Sequence, residues 1–156
     1  MRRKAQGFTL IELIVVITII GILAAIALPK FVAMQADARL AKMNGALGSV
    51  KSAAAMAHGV LISRGFGSNF TGTPVPNIVI EGTTAIYANG YPTAGTIAAL
   101  AGITNPDYTI PAVVGTSQAI QADGSHTTCT FSYTQAPALD TQPTYTIIGL
   151  TIALCS

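Results

Sequence analysis

KAQGFTLIELIVVITIIGILAAIALPK, residues 4–30, places a carboxylate, Glu12, inside an otherwise apolar run. Between residues 8 and 28 no other side chain carries a charge. An acidic group near the centre of a spanning helix costs roughly 2.5 to 3.5 kcal/mol, so Glu12 requires something that offsets that cost. At 1.5 Å per residue an uninterrupted helix over residues 8–28 would be about 31 Å long, which matches the hydrocarbon thickness of a bilayer. Arg2, Arg3 and Lys4 precede the run, so the N-terminus stays cytoplasmic and everything after Pro29 lies outside.

Three readings of this segment compete. It is a secretory signal cut after Ala25-Ile26-Ala27; or a permanent anchor whose Glu12 serves a membrane assembly; or a leader cut between Gly7 and Phe8, which keeps the apolar helix and frees an amine at Phe8. Only the last gives Glu12 a ready partner. The new ammonium lies one helical turn from Glu12, or on a neighbouring copy displaced by a similar step, and opposite charges attract strongly where screening is poor. Spacing alone leaves pairing within one chain and pairing between chains both open.

Gly7, Phe8, Thr9, Leu10, Ile11 and Glu12, followed by an apolar run with Gly21 and Pro29, resemble the prepilin signal of type IV pilins. The resemblance implies that a membrane prepilin peptidase cuts after Gly7 and that Phe8 is then N-methylated. It also implies that Glu12 assists docking of each new subunit. Filaments of that family often unwind the helix between positions matching Gly21 and Pro29. Proline lacks an amide donor and clashes one turn back, and glycine lowers helix propensity, so the chemistry agrees. The alternative for Pro29 is a helix boundary at the membrane surface.

The composition is 51% hydrophobic and only 9% charged over 156 residues, which leaves room for one globular domain beside the apolar segment. The net charge of +2 misleads: Arg2, Arg3 and Lys4 are three of the eight basic groups, so five face six acidic ones in the remainder. Lys30, Arg39, Lys42, Lys51 and Arg64 form no basic stripe, which speaks against specific nucleic-acid binding. Cys129 and Cys155, an even pair beyond a membrane signal, suit a disulfide in an oxidising compartment; unpaired thiols are the alternative.

Beyond Pro29, Ala33, Ala36, Leu40, Met43, Leu47, Val50, Ala54, Ala57 and Leu61 alternate steps of three and four and form one helical face. Asp37, Arg39, Lys42, Asn44, Lys51 and His58 lie opposite, with His58 read as a solvated helix residue and Gly59 or Gly65 as the terminator. Many type IV pilins carry a second proline in this region, and this chain does not. Downstream, Gly72, Thr73, Pro74 and Pro76 mark a loop, and Ile78, Val79 and Ile80 a short strand. Asn89-Gly90 between Ala85-Ile86-Tyr87 and Tyr91 signals a tight turn, and Thr93 can cap a short helix over Ala94–Leu100. Residues 128–133 alternate with period two, as do residues 145–150 less cleanly, which predicts an antiparallel pair; a link from Cys129 to Cys155 would staple its first strand to the tail. ANGYPTAGTIAALAGI (88–103) and CTFSYTQA (129–136) are most similar to the mannose-sensitive-haemagglutinin type of type IVa pilin, a family that commonly closes a C-terminal loop by disulfide.

No catalytic, cofactor or metal constellation emerges. Asp107, Asp123 and Asp140 sit among turn residues, and His126 with Cys129 offers only two neighbouring ligands. Asn69-Phe70-Thr71 has glycosylation spacing. The expectation is an α+β pilin fold: a leader over 1–7, a transmembrane and filament-core helix over 8–29, its amphipathic outer half over 30–63, and a β-rich head over 64–156. Its implied role is the major structural subunit of a type IV pilus, without enzymatic activity or cofactor, serving adhesion or motility. Its implied partners are further copies of itself, prepilin peptidase, the inner-membrane assembly machinery and, before assembly, the membrane of a Gram-negative cell. The alternatives are a minor pilin or secretion pseudopilin and, in another class, a small secreted binding domain released after Ala27.

Overall fold

The computed structural model describes residues 8–67, 70 and 78–156. Gly7, the basic cluster, Asn69 and the expected loop at residues 72–76 lie outside the described residues. Helix α1 runs over Leu10–Ser63, and the chain divides into two compact units, the first ending at Gln35 and the second covering Ala36–Ser156. Pro29 lies inside α1 and does not end it, which corrects the helix-boundary reading. The helix stops in a reciprocal turn: the Gly65 amide donates to Ile62 O at 2.9 Å and the Phe66 amide to Leu61 O at 3.3 Å. Gly65 has φ +82°, the left-handed conformation that such a stop requires.

In the second unit α1 buries Ala36, Met43, Ala46, Leu47, Val50, Ala53, Ala54, Ala57 and Leu61. This is the expected face with three changes: Ala33 is exposed, Leu40 is half-buried, and Ala46 and Ala53 are added. Ile78, Tyr87, Ile97, Ile120, Phe131 and Tyr133 complete the core. The two tyrosines keep their hydroxyls satisfied, Tyr87 donating to Ala57 O at 3.0 Å and Tyr133 to Pro92 O at 2.6 Å.

The polar face is less solvated than its pattern suggests. His58 is half-buried, stacked on Tyr91 with ring centres 4.2 Å apart, and its Nδ1 lies 2.8 Å from Gly90 O. An imidazole supplies both a flat apolar face and a hydrogen-bonding edge, so it seals the helix against the turn rather than pointing to water. Lys42 Nζ likewise lies over the Tyr108 ring at 4.3 Å and donates to the carbonyls of Ala122 and Asp107.

Among the described residues, three small antiparallel sheets follow. Strands β1 (Val79–Ile80) and β2 (Thr83–Thr84) pair across Glu81-Gly82, and β3 (Tyr87–Ala88) and β4 (Tyr91–Pro92) pair across Asn89-Gly90. All four loop residues have positive φ, the two-residue turn whose twist suits a hairpin. The second turn was expected, whereas the first hides behind a glutamate where Asn or Asp is usual. Helix α2 occupies Ala94–Leu100 behind Thr93, but the Thr93 side chain makes no cap; Gln135 Oε1 accepts from the Ala94 amide instead, at 3.0 Å.

The third sheet has the order β5 (Ser117–Gln121), β6 (Thr130–Thr134), β7 (Thr144–Thr146). The expected pair is β6 and β7, with Tyr133 opposite Tyr145. β5 was not foreseen, and β7 is shorter than the apolar run suggested. A Cβ at Gly149 would collide with the Thr128 and Thr130 carbonyls, so the backbone presses there against the start of β6. The chain then turns, with the Leu150 amide on Ile147 O, into a short 3-10 helix over Ile152–Leu154.

Candidate assembly site

In the first unit α1 carries large side chains on every side and covers none of them. From residue 8 to 28 the large apolar side chains range from 47% exposure at Ile14 to 83% at Phe8. A helix that is apolar all round needs an apolar surrounding, either lipid or protein. Among the described residues α1 is the one helix long and apolar enough to cross a membrane. Its interior hydroxyl, Thr18 Oγ1, donates to Val15 O at 2.8 Å, the local bond by which a helical threonine hides its polarity.

Glu12 stands at the N-terminal end of this surface, on a shallow groove of about 390 Å³ lined also by Phe8, Ile11, Val15 and Val16. Its carboxylate is not bare. Oε2 accepts from the Thr9 amide at 2.9 Å and from the Thr9 hydroxyl at 2.7 Å, while the Glu12 amide donates to Thr9 Oγ1 at 3.3 Å. Thr9 was missed as a partner, although Thr-x-x-Glu at a helix start is a readable signal. The arrangement offers a cation one negative charge framed by four apolar side chains. Gly21 and Pro29, the positions implied to unwind, both lie within unbroken helix, and a Cβ at Gly21 would meet nothing within 4 Å.

A second cluster fastens the C-terminal tail in the other unit. Cys129 and Cys155 form a disulfide, and both are fully buried. Arg39, from α1, donates to Cys155 O at 3.0 Å and lies 3.5 Å from Asp123 Oδ2. Asp123 Oδ1 accepts from the Ser125 and His126 amides at 2.9 Å each and sits 2.7 Å from His126 Nδ1. Burial pushes the Asp123 carboxyl up, but the hydrogen bonds from the His126 ring and from the two amides outweigh it and hold the group below its ordinary range. Asp123 is thus the loop former expected and also the anchor for Arg39. Cys129 is taken by the disulfide and His126 is turned to Asp123, so the two do not converge on a shared point.

Residues 2–28 match the family described as the prokaryotic N-terminal methylation motif. The chain is 52% identical over 54 residues to a major component of the narrow type IV pilus of Thermus thermophilus, covering 35% of this chain and 47% of that one. It is 53% identical over 58 residues to a fimbrial protein of Eikenella corrodens, covering 36% of each. It is 42% identical over 53 residues to a type IV major fimbrial protein of Dichelobacter nodosus, covering 34% of each. The matched stretch spans less than half the length of these relatives. No solved structure matches.

Proposed function

From a chain that carries the N-terminal methylation motif over residues 2–28 and is similar over about a third of its length to major type IV pilins, we propose the major subunit of a type IV pilus. Its role is structural. It resides in the inner membrane of a Gram-negative cell with the head outside and is then drawn into an extracellular filament for adhesion or motility. Prepilin peptidase cuts between Gly7 and Phe8 and methylates Phe8, and the assembly machinery delivers each subunit to the growing end.

The observation that carries this reading is the unshielded apolar surface of residues 8–28 with one carboxylate at its end. Exchanging lipid for like helices during extraction leaves that surface out of water throughout. Glu12 then meets the Phe8 amine of a neighbouring copy and fixes the axial register, as a buried polar contact can at some cost in stability. In this account residues 8–29 form the filament core, 30–63 the outer helix and 64–156 the head. Gly21 and Pro29 are where α1 would unwind on packing into the filament.

Intact mass with N-terminal sequencing of the mature protein tests it. The expected start is methylated Phe8. A start at Leu28 would overturn the filament and leave a secreted head. Gly7 replaced by a bulky residue should block maturation, and an unimpaired cut would place the processing site elsewhere.

A further inference from the structure

The hydrogen bonds at the start of α1 close a loop within one chain. Thr9 stands just before the first helical residue and Glu12 three positions on, the spacing at which a capping hydroxyl and a carboxylate satisfy each other's backbone amides. Both halves of the exchange are present, and the direct hydroxyl-to-carboxylate bond at 2.7 Å adds a third link. One hydroxyl can do this, since it has a single proton to give and two lone pairs to receive. None of the three bonds uses the Phe8 nitrogen. The loop therefore closes equally well in the uncleaved chain, before any amine exists at Phe8.

We propose that Thr9 is the positioning residue for Glu12: it keeps the carboxylate closed on its own helix in the membrane-stored subunit, and assembly exchanges that partner for the Phe8 amine of a neighbouring copy. This rests on the filament reading above. A carboxylate in lipid cannot wait unpaired for a neighbour, because an unsatisfied anion in an apolar phase is strongly disfavoured. Thr9 supplies the partner in the interval. Only a bond that differs between two states shifts their balance. A bond made in storage and given up in the filament opposes assembly, so Thr9 acts as a brake on the docking that Glu12 drives. A threonine that merely capped the helix would keep its bonds in both states and leave the balance where it was.

The full-length chain with Thr9→Val, which removes the hydroxyl and keeps the shape, tests this against Thr9→Ser, which keeps the hydroxyl. Among cleaved subunits, the ratio of filament to membrane pool should rise about three- to tenfold in Thr9→Val, the scale of one net hydrogen bond, and return to the parental ratio in Thr9→Ser. An unchanged or lower ratio in Thr9→Val overturns the exchange. Amide exchange of the unassembled chain in lipid bicelles gives an independent readout: the Glu12 amide should lose protection in Thr9→Val and keep it in Thr9→Ser. Equal protection in both overturns the internal loop. Should the parental chain form no filaments at all, the polymer reading fails, while the bicelle measurement still decides whether Thr9 holds Glu12.

Discussion

Residues 10–35 and 36–63 belong to the same helix, yet they solve opposite problems. The first stretch displays Ile, Leu and Val around its whole circumference and covers almost none of it. In the second, Ala36, Ala46, Ala53, Ala54 and Ala57 join Met43, Leu47, Val50 and Leu61 on one buried face, with Arg39, Lys42 and His58 at its margins. Small residues let aromatic side chains approach the helix closely, and the flanking polar groups then bond to the carbonyls brought within reach. One half of the helix finds its apolar surroundings within the chain, while the other must find them outside it.

The uncovered half of α1 is most vulnerable at Glu12. For Glu12→Ala we expect a processed, membrane-resident subunit with an intact head and a filament yield lowered by about a hundredfold or more, the scale of losing one partner of a buried ion pair. Surface filament yield with the mutant as sole subunit is the measurement. A normal yield would remove Glu12 from docking. Phe131→Ala strikes the other half: this ring is 1% exposed, and its loss should cost the head about 3 to 5 kcal/mol in denaturant unfolding while leaving membrane insertion unchanged. If insertion failed as well, the two regions would not be separable. Replacing Cys129 and Cys155 together by alanine, which opens a loop with a sequence separation of 26, should destabilise the head by about 3 to 4 kcal/mol. A loss below about 1 kcal/mol would mean that the hydrogen bonds around Arg39 hold the tail without it.

Much of this division is legible in the sequence, because periodicity records burial. Steps of three and four marked the covered face of α1, and the unbroken apolar run marked the uncovered one. Asn89-Gly90 announced its hairpin through a dipeptide that accepts positive φ, but Glu81-Gly82 makes the same turn without that signature. β5 escaped because Ser117, Gln118 and Gln121 mask its alternation, and Gln118, although buried, has its amide on the Pro111 and Ala119 carbonyls. At the candidate site, Glu12 drew notice as a charge in oil, and its partner was sought in an amine still to be made. The nearer partner, Thr9, was written three residues upstream. His58 read as solvated, and Arg39 as one more residue of the polar face, because their partners, Tyr91, Gly90, Asp123 and Cys155, come from distant sequence that only the fold assembles.

The smallest expected effect lies in the polar fastening of the tail and sharpens the contrast between a covalent link and an electrostatic one. Asp123 has a folded-state carboxyl held below its ordinary range, because hydrogen bonds from His126 and Ser125 outweigh its burial. Such a group binds its proton less readily folded than unfolded. Its contribution is therefore complete above the unfolded carboxylate value of about 3.9 and disappears as pH falls through the lower folded value. The Arg39 guanidinium keeps its charge over that whole window, so acid leaves it facing a neutral partner. With the Asp123 side chain 40% exposed, solvent screening should keep the loss below about 1 kcal/mol. Thermal unfolding of the full chain in detergent at pH 7, 4 and 3 should show a decline in the parent that exceeds the decline in Asp123→Asn. Effects of acid on the rest of the head are common to both proteins and cancel in that difference. Parallel curves would place the acid sensitivity elsewhere in the head and leave the tail held by its disulfide and by the Arg39 bond to Cys155 O.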